Sequence, residues 1–272
     1  FVGDSVSGLG LNLTGVDLAI ALWSEVVLSG TPRKWTSVMG SIAGATFSGV
    51  TGLGLTVTSA GLVVNKIAAD NTVVDYVQNG SESAATSLIV TVAPGETVTF
   101  SIDDNNGDYI QVVGVAMINL FDFVSVSGGF GVEKKTGQSI VLSDNTTATT
   151  NLLTIGLANV SAFVGDSVSG LGIQLTGVDL ALALWSEVVV SGTPRKWTTV
   201  KANVDTALPV GIDLGVTVNA VGIEVNKEAT EHTLVDYHQG AGETQATSLS
   251  VAVGPGQTVL FEMYYTKGNY NQ

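Results

Sequence analysis

A chain of 272 residues is long enough for one or two domains, and this one combines 45% hydrophobic with only 12% charged residues, 33 glycines and a formal net charge of −14. Sparse charge of mostly negative sign would be repelled by nucleic-acid phosphates, which disfavours that class of partner, and the lack of cysteine removes disulfides and thiolate metal centres. Membrane insertion is not expected either. Residues 40–65 run for 26 positions without a charge, long enough for a spanning helix, but their glycine content, β-branched residues and period-two alternation predict strands. Long near-identical repeats with few aromatics do not suit a membrane barrel with two aromatic girdles.

Residues 1–38 return at 163–200 with five mild substitutions: Leu11 to Ile173, Asn12 to Gln174, Ile20 to Leu182, Leu28 to Val190 and Ser37 to Thr199. A copy this long and this close marks one structural unit laid down at least twice. Within it Leu9, Leu11 and Leu13 alternate on odd positions and Val16, Leu18, Ile20 and Leu22 on even ones, so the phase slips once at Thr14–Gly15–Val16. A single extra residue is what a β-bulge inserts, turning the following side chains to the other face or bending the strand. The same device is expected between Val57 and Ala60, between Leu157 and Val160, at Gly177 in the second copy, and again where Leu214, Val216 and Val218 give way to Val221, Ile223 and Val225.

Turn signals separate these runs: Gly30–Thr31–Pro32, Asn79–Gly80, Pro94–Gly95, Asn106–Gly107, Gly128–Gly129 and Ser143–Asp144–Asn145–Thr146. No helical stripe is apparent. The pattern predicts an all-β chain of elongated, repetitive architecture, β-solenoid-like or a series of β-sandwich modules, with bulged long strands. Residues 1–162 form the first full repeat, of which 1–111 are shared and 112–162 occur once; 163–272 form a second, incomplete repeat. A window of a longer array is the expectation, and a neighbouring subunit that supplies the missing segment is the alternative.

Two copies provide an internal test, because a site that every unit needs should occur in both. His232 and His238 face Asn71 and Val77 in the first copy, so surface histidines are expected rather than catalytic or metal-binding ones. The acidic loop Asp103–Asp108 offers oxygens that suit calcium, but its spacing is not that of an EF-hand and the corresponding loop 264–269 has no carboxylate, so a hairpin turn with Asn106–Gly107 at its tip is expected. No catalytic residue, cofactor or metal ligand is expected, and the chain is not read as an enzyme. Kept in both copies are Asp17 and Asp179, Glu25 and Glu187, Asp75–Tyr76 and Asp236–Tyr237. The candidate interaction residues are kept as well: Trp23, Arg33, Lys34 and Trp35 in the first copy, and Trp185, Arg195, Lys196 and Trp197 in the second. Tryptophan beside a basic residue can stack on a sugar or a cation. The plainer expectation is that the tryptophans pack between strands while the basic residues pair with carboxylates of the next unit.

The repeated GLxLTGVDLAxALW, the TPRKWTxV that follows it, the VNK…VVDY stretch and the FVSVSGGFGVEK segment together resemble repeat regions of very large bacterial secreted adhesin-like or surface-fibre proteins. The resemblance implies an elongated β-rich rod outside the cell or on its surface, and it brings no catalytic residues. The expectation is a structural repeat protein of an extracellular bacterial filament, sheath or adhesive fibre whose partner is itself. A carbohydrate- or ligand-binding adhesin module, with glycans as partner, is the alternative, and a secreted polysaccharide-acting enzyme comes third.

Overall fold

The structure, a computed structural model, describes residues 1–4, 6, 8–79, 85–212, 215–239, 245–263 and 270–271. In chain order the strands are β1 (Val2–Asp4), β2 (Leu9–Ser24), β3 (Lys34–Ser48), β4 (Leu53–Lys66), β5 (Ile89–Ala93), β6 (Glu96–Thr99), β7 (Tyr109–Leu120), β8 (Val124–Val141), β9 (Thr147–Asp166), β10 (Leu171–Glu187), β11 (Lys196–Val210), β12 (Val218–Lys227), β13 (Ser250–Gly254), β14 (Gln257–Leu260) and β15 (Tyr270–Asn271). Eleven of them form one open antiparallel sheet in the order β1-β2-β3-β4-β7-β8-β9-β10-β11-β12-β15, while β5-β6 and β13-β14 are separate two-stranded hairpins. The chain is therefore all-β with long, repeated strands, and it takes the form of a single meandering sheet that carries one hairpin per repeat. Among the described residues no helix is long and apolar enough to cross a membrane.

The expected phase slips occur, and they line up across the sheet. Gly15 (φ 54°), Asn159 (φ 50°), Gly177 (φ 59°) and Ala220 (φ 53°) take left-handed conformations. The register of β4 on β7 shifts between Val57 and Ser59, that of β8 on β9 between Ser127 and Gly129, and that of β9 on β10 across Leu175–Leu180. At Gly177 the lack of a Cβ removes the left-handed penalty, whereas Asn159 and Ala220 hold the same conformation with side chains. Leu214 lies outside the described residues.

The slip explains which residues meet the hairpins. Beyond Gly15 the odd positions Ala19 and Ala21 turn inward against a core of Tyr76, Phe100, Ile102 and Tyr109, while the even positions Leu18, Ile20 and Leu22 are exposed on the opposite face. In the second repeat Ala181 and Ala183 turn inward in the same way and join a larger core that includes Ile140, Leu142, Leu152, Val235, Val251 and Phe261. Alanine on these strands leaves room for a hairpin to lie directly on the sheet.

Two turn expectations are corrected. Gly128–Gly129 does not turn the chain; it lies inside β8, at the bulge. This glycine-rich patch serves close approach instead. A Cβ at Gly131 or at Gly156 would sit 2.2 Å from the carbonyl oxygen of Ala252, because β13 crosses β8 and β9 backbone to backbone. Asn106–Gly107 is likewise not a hairpin tip: residues Asp104–Asn106 form a 3-10 turn that leads from β6, in a separate hairpin, into β7 of the main sheet. Asn79–Gly80 falls partly, and the loop 264–269 wholly, outside the described residues. The other turns lie between strands as expected, with Gly95 (φ 82°) joining β5 to β6 and Asn145 (φ 62°) joining β8 to β9.

Replacing Gly156 by valine should therefore force β13 off the sheet and cost about 2–3 kcal/mol or more. Urea unfolding measures this, and an unchanged midpoint would contradict the backbone contact.

Candidate functional site: the tryptophan clefts of the two repeats

The repeated residues converge at one end of β2 and β3, and again at one end of β10 and β11. Trp23 pairs across the ladder with Trp35, and Trp185 with Trp197. Behind each pair runs a buried polar chain. In the first repeat Trp23 Nε1 donates to Tyr76 Oη (2.8 Å), Tyr76 Oη to Ser37 Oγ (3.0 Å), Ser37 Oγ to Asn65 Oδ1 (2.9 Å), and Asn65 Nδ2 to the carbonyl of Val74 (2.9 Å). In the second repeat Trp185 Nε1 donates to Tyr237 Oη (2.9 Å), whose oxygen lies 2.8 Å from Thr199 Oγ1; Thr199 reaches Asn226 Oδ1 (3.4 Å), and Asn226 Nδ2 donates to the carbonyl of Val235 (2.8 Å). The Ser37-to-Thr199 substitution keeps the hydroxyl on which this chain depends. Burial pushes the Tyr237 phenol well above its ordinary pKa, so it stays neutral and keeps a proton to share. A buried network satisfied along its length rigidifies the site.

The second tryptophan of each pair is tied to a loop. Trp35 Nε1 donates to the carbonyl of Thr72 (3.1 Å), and Trp197 Nε1 to that of Thr233 (3.0 Å). An arginine covers each ring, with Arg33 Cζ 5.1 Å from the Trp35 centroid and Arg195 Cζ 5.2 Å from that of Trp197. Arg33 is held by Glu25 and Asp70, and Arg195 by Glu187 and Glu231. These carboxylates belong to the arginine's own repeat, so the expected pairing with the next unit is not what forms. The reason is local: the loop after β2 returns Arg33 beside Glu25, where a bidentate bond closes the turn. Lys34 and Lys196 begin β3 and β11 with exposed side chains and do not enter the clefts.

The two clefts differ in what covers them. In the first repeat Trp23 is 37% exposed, and an open cleft of about 390 Å³ is lined by Trp23, Trp35, Val73, Val74, Asp75 and Thr86. In the second, Trp185 and Trp197 are 4% and 1% exposed. Their cover is the turn between β8 and β9, from the single-copy segment. Leu142 bridges to Val235, Val141 N donates to Thr247 Oγ1 (2.9 Å), Ser143 N to the carbonyl of Leu234 (3.0 Å), and Asp236 N to the carbonyl of Val141 (2.9 Å). The sequence singles out the tryptophans and Asp75–Tyr76; the structure adds Asn65, Asn226, Thr86 and Thr247. All four have the same residue type in both copies, which was the available signal.

His232 is exposed on the surface with Nδ1 3.1 Å from Glu228 Oε1. Asp75, Asp103 and Asp104 bring carboxylate oxygens within 4.8 Å of one another, but Asp103 already accepts from Asn105 N (2.9 Å) and Asn79 Nδ2 (2.6 Å), and Asp75 from Val77 N (3.0 Å).

Two outcomes follow. Trp197→Ala should cost about 3–5 kcal/mol, and Trp35→Ala clearly less, because its ring is less covered; paired urea titrations measure the difference, and equal losses would contradict the unequal cover. Hydrogen bonds from Arg195 hold the Glu187 carboxyl below the ordinary glutamate value of 4.5. Its folded-state pKa being depressed, the stability it contributes is complete above that value and is lost as the pH falls through the lower folded one. The stability gap between the native chain and Glu187→Gln should accordingly be widest near neutrality and close in acid, as thermal midpoints across pH would report. In comparisons with known proteins no family model, no curated protein and no solved structure matches this chain.

Proposed function

We propose that this chain is a structural repeat protein of an extracellular filament, sheath or adhesive fibre, which associates with its own kind by extending β-sheet. The observation that carries this reading is the continuity of the sheet between repeats. Strand β9, which ends the first repeat, hydrogen-bonds to β10, which opens the main part of the second, from Leu171↔Asp166 to Glu187↔Thr150. Adding a repeat therefore adds strands to one sheet and does not append a bead on a linker. Register supports the same view: Val225↔Asn271 and Asn226↔Tyr270 on β12 reproduce Val64↔Ile110 and Asn65↔Tyr109 on β4. The apolar positions Leu18, Ile20 and Leu22, exposed on the face away from the hairpins, provide a further surface for lateral association.

The buried chemistry favours this reading over catalysis. The residues held in common are spent on hydrogen bonds within the wall of the sheet, and the four tryptophans have their indole nitrogens engaged. The glycan-binding alternative draws on the open cleft at Trp23 and Trp35, whereas the matching cleft is already filled in the second repeat.

Six long strands per 162-residue repeat, at a strand spacing near 4.8 Å, correspond to an axial advance of roughly 29 Å per repeat. Electron microscopy of native material should show filaments or sheets with that periodicity, and light scattering at high concentration should show association. Dispersed monomers in both experiments would overturn the reading.

A further inference from the structure

The covered and open clefts are the same surface in two states. Trp23, Trp35, Val73, Val74, Asp75 and Thr86 correspond to Trp185, Trp197, Leu234, Val235, Asp236 and Thr247. Every group that the β8–β9 turn uses on the second repeat is thus present on the first. Those groups are backbone atoms of the 73–75 stretch, a threonine hydroxyl and an apolar floor. They are also pre-positioned alike, since Thr86 N donates to the carbonyl of Asp75 (2.8 Å) as Thr247 N does to that of Asp236 (2.7 Å).

The surroundings differ as the loss of a covering hairpin would make them differ. Among the described residues, only Val2–Asp4 pair with the outer edge of β2, and they reach no further than Leu11. The equivalent edge of β10 is paired along its length by β9. Val251 and Val253 are buried on their β8–β9 floor, whereas their counterparts Val90 and Val92 are only partly buried. Leu142 is wholly buried against Val235.

We propose that the open cleft and the adjoining edge of β2 form an acceptor for a β-hairpin with the residue pattern of 138–153, supplied by a further copy of the same repeat. This rests on the self-associating reading above and names its joining surface. The hairpin of residues 138–153 is itself engaged on the second repeat, so these 272 residues leave one acceptor to fill. The second repeat sets the register: Leu152 lies opposite Trp23, Thr150 opposite Glu25, and Leu142 opposite Val74. Val141 N donates to Thr86 Oγ1, and Asp75 N donates to the carbonyl of Val141. Main-chain bonds provide the affinity and the buried leucines the specificity, as in other strand additions to a free edge.

The test is titration of the intact chain with a synthetic peptide of residues 138–153, which has no aromatic residue, so that tryptophan fluorescence reports the chain alone. The expected result is a blue shift with reduced acrylamide quenching, saturating at one peptide per chain. Binding should weaken by about tenfold or more when the peptide carries Leu142→Asp, and likewise when the chain carries Thr86→Lys. Circular dichroism and the urea midpoint of the Thr86→Lys chain establish that it is folded. Absence of a shift, equal binding by both altered partners, saturation at two peptides per chain, or a shift produced by glycans but not by the peptide would each overturn the proposal. Filaments without peptide binding would leave the structural role standing and move the joining surface elsewhere. Peptide binding without filaments would do the reverse.

Discussion

The β9–β10 ladder is the interaction on which the rest of this molecule depends. It joins the single-copy segment to the second repeat by antiparallel pairing from Leu171↔Asp166 to Glu187↔Thr150, with the register shifted across Leu175–Leu180, and it brings the β8–β9 turn over the paired tryptophans. The core beneath β13 exists because that ladder supplies its floor: Ile140, Leu142 and Leu152 from the hairpin meet Trp185, Trp197 and Val235 from the repeat. Where β2 lacks such a neighbour among the described residues, the same sequence builds a smaller core with partly buried valines. Nearly identical segments thus reach different burial because burial belongs to the pair of elements and not to either one.

A second constraint is the row of backbone irregularities. A two-residue period alone would put Leu9 and Leu18 on opposite faces; beyond the left-handed Gly15 (φ 54°), Ala19 and Ala21 face the hairpin core while Leu18, Ile20 and Leu22 face outward. Because the same slip recurs in neighbouring strands, the sheet changes facing along a line and the ladders stay intact. The alanines and glycines that result on one face let hairpins pack at backbone distance, and the leucines, isoleucines and valines on the other leave an apolar surface. Packing on one side and an exposed apolar face on the other thus accompany the slips in β2, β4, β9, β10 and β12.

The polar chains behind the tryptophans make the clefts stiff and chemically quiet. Each indole nitrogen has an acceptor, each arginine has its carboxylates, and each tyrosine hydroxyl bridges two partners.

The sequence by itself determined the all-β class, the repeat and the slips at Gly15, Val57–Ser59, Asn159, Gly177 and Ala220, because alternation and its breaks are local properties written residue by residue. It did not mark the shifts between Lys135 and Gln138, Thr91 and Ala93, or Ala252 and Gly254. It misassigned Gly128–Gly129, since glycine marks a tight turn and a close backbone approach with the same letter; only the crossing of Ala252 over Gly131 and Gly156 distinguishes them. It marked the repeated tryptophans as interaction residues without showing that one pair is sealed and the other open. The seal over the second pair depends on the β8–β9 turn reaching Val235 and Thr247, a contact across 106 positions between Val141 and Thr247 with no signature in either near-identical copy. The tertiary structure decided it by folding that turn onto the second repeat.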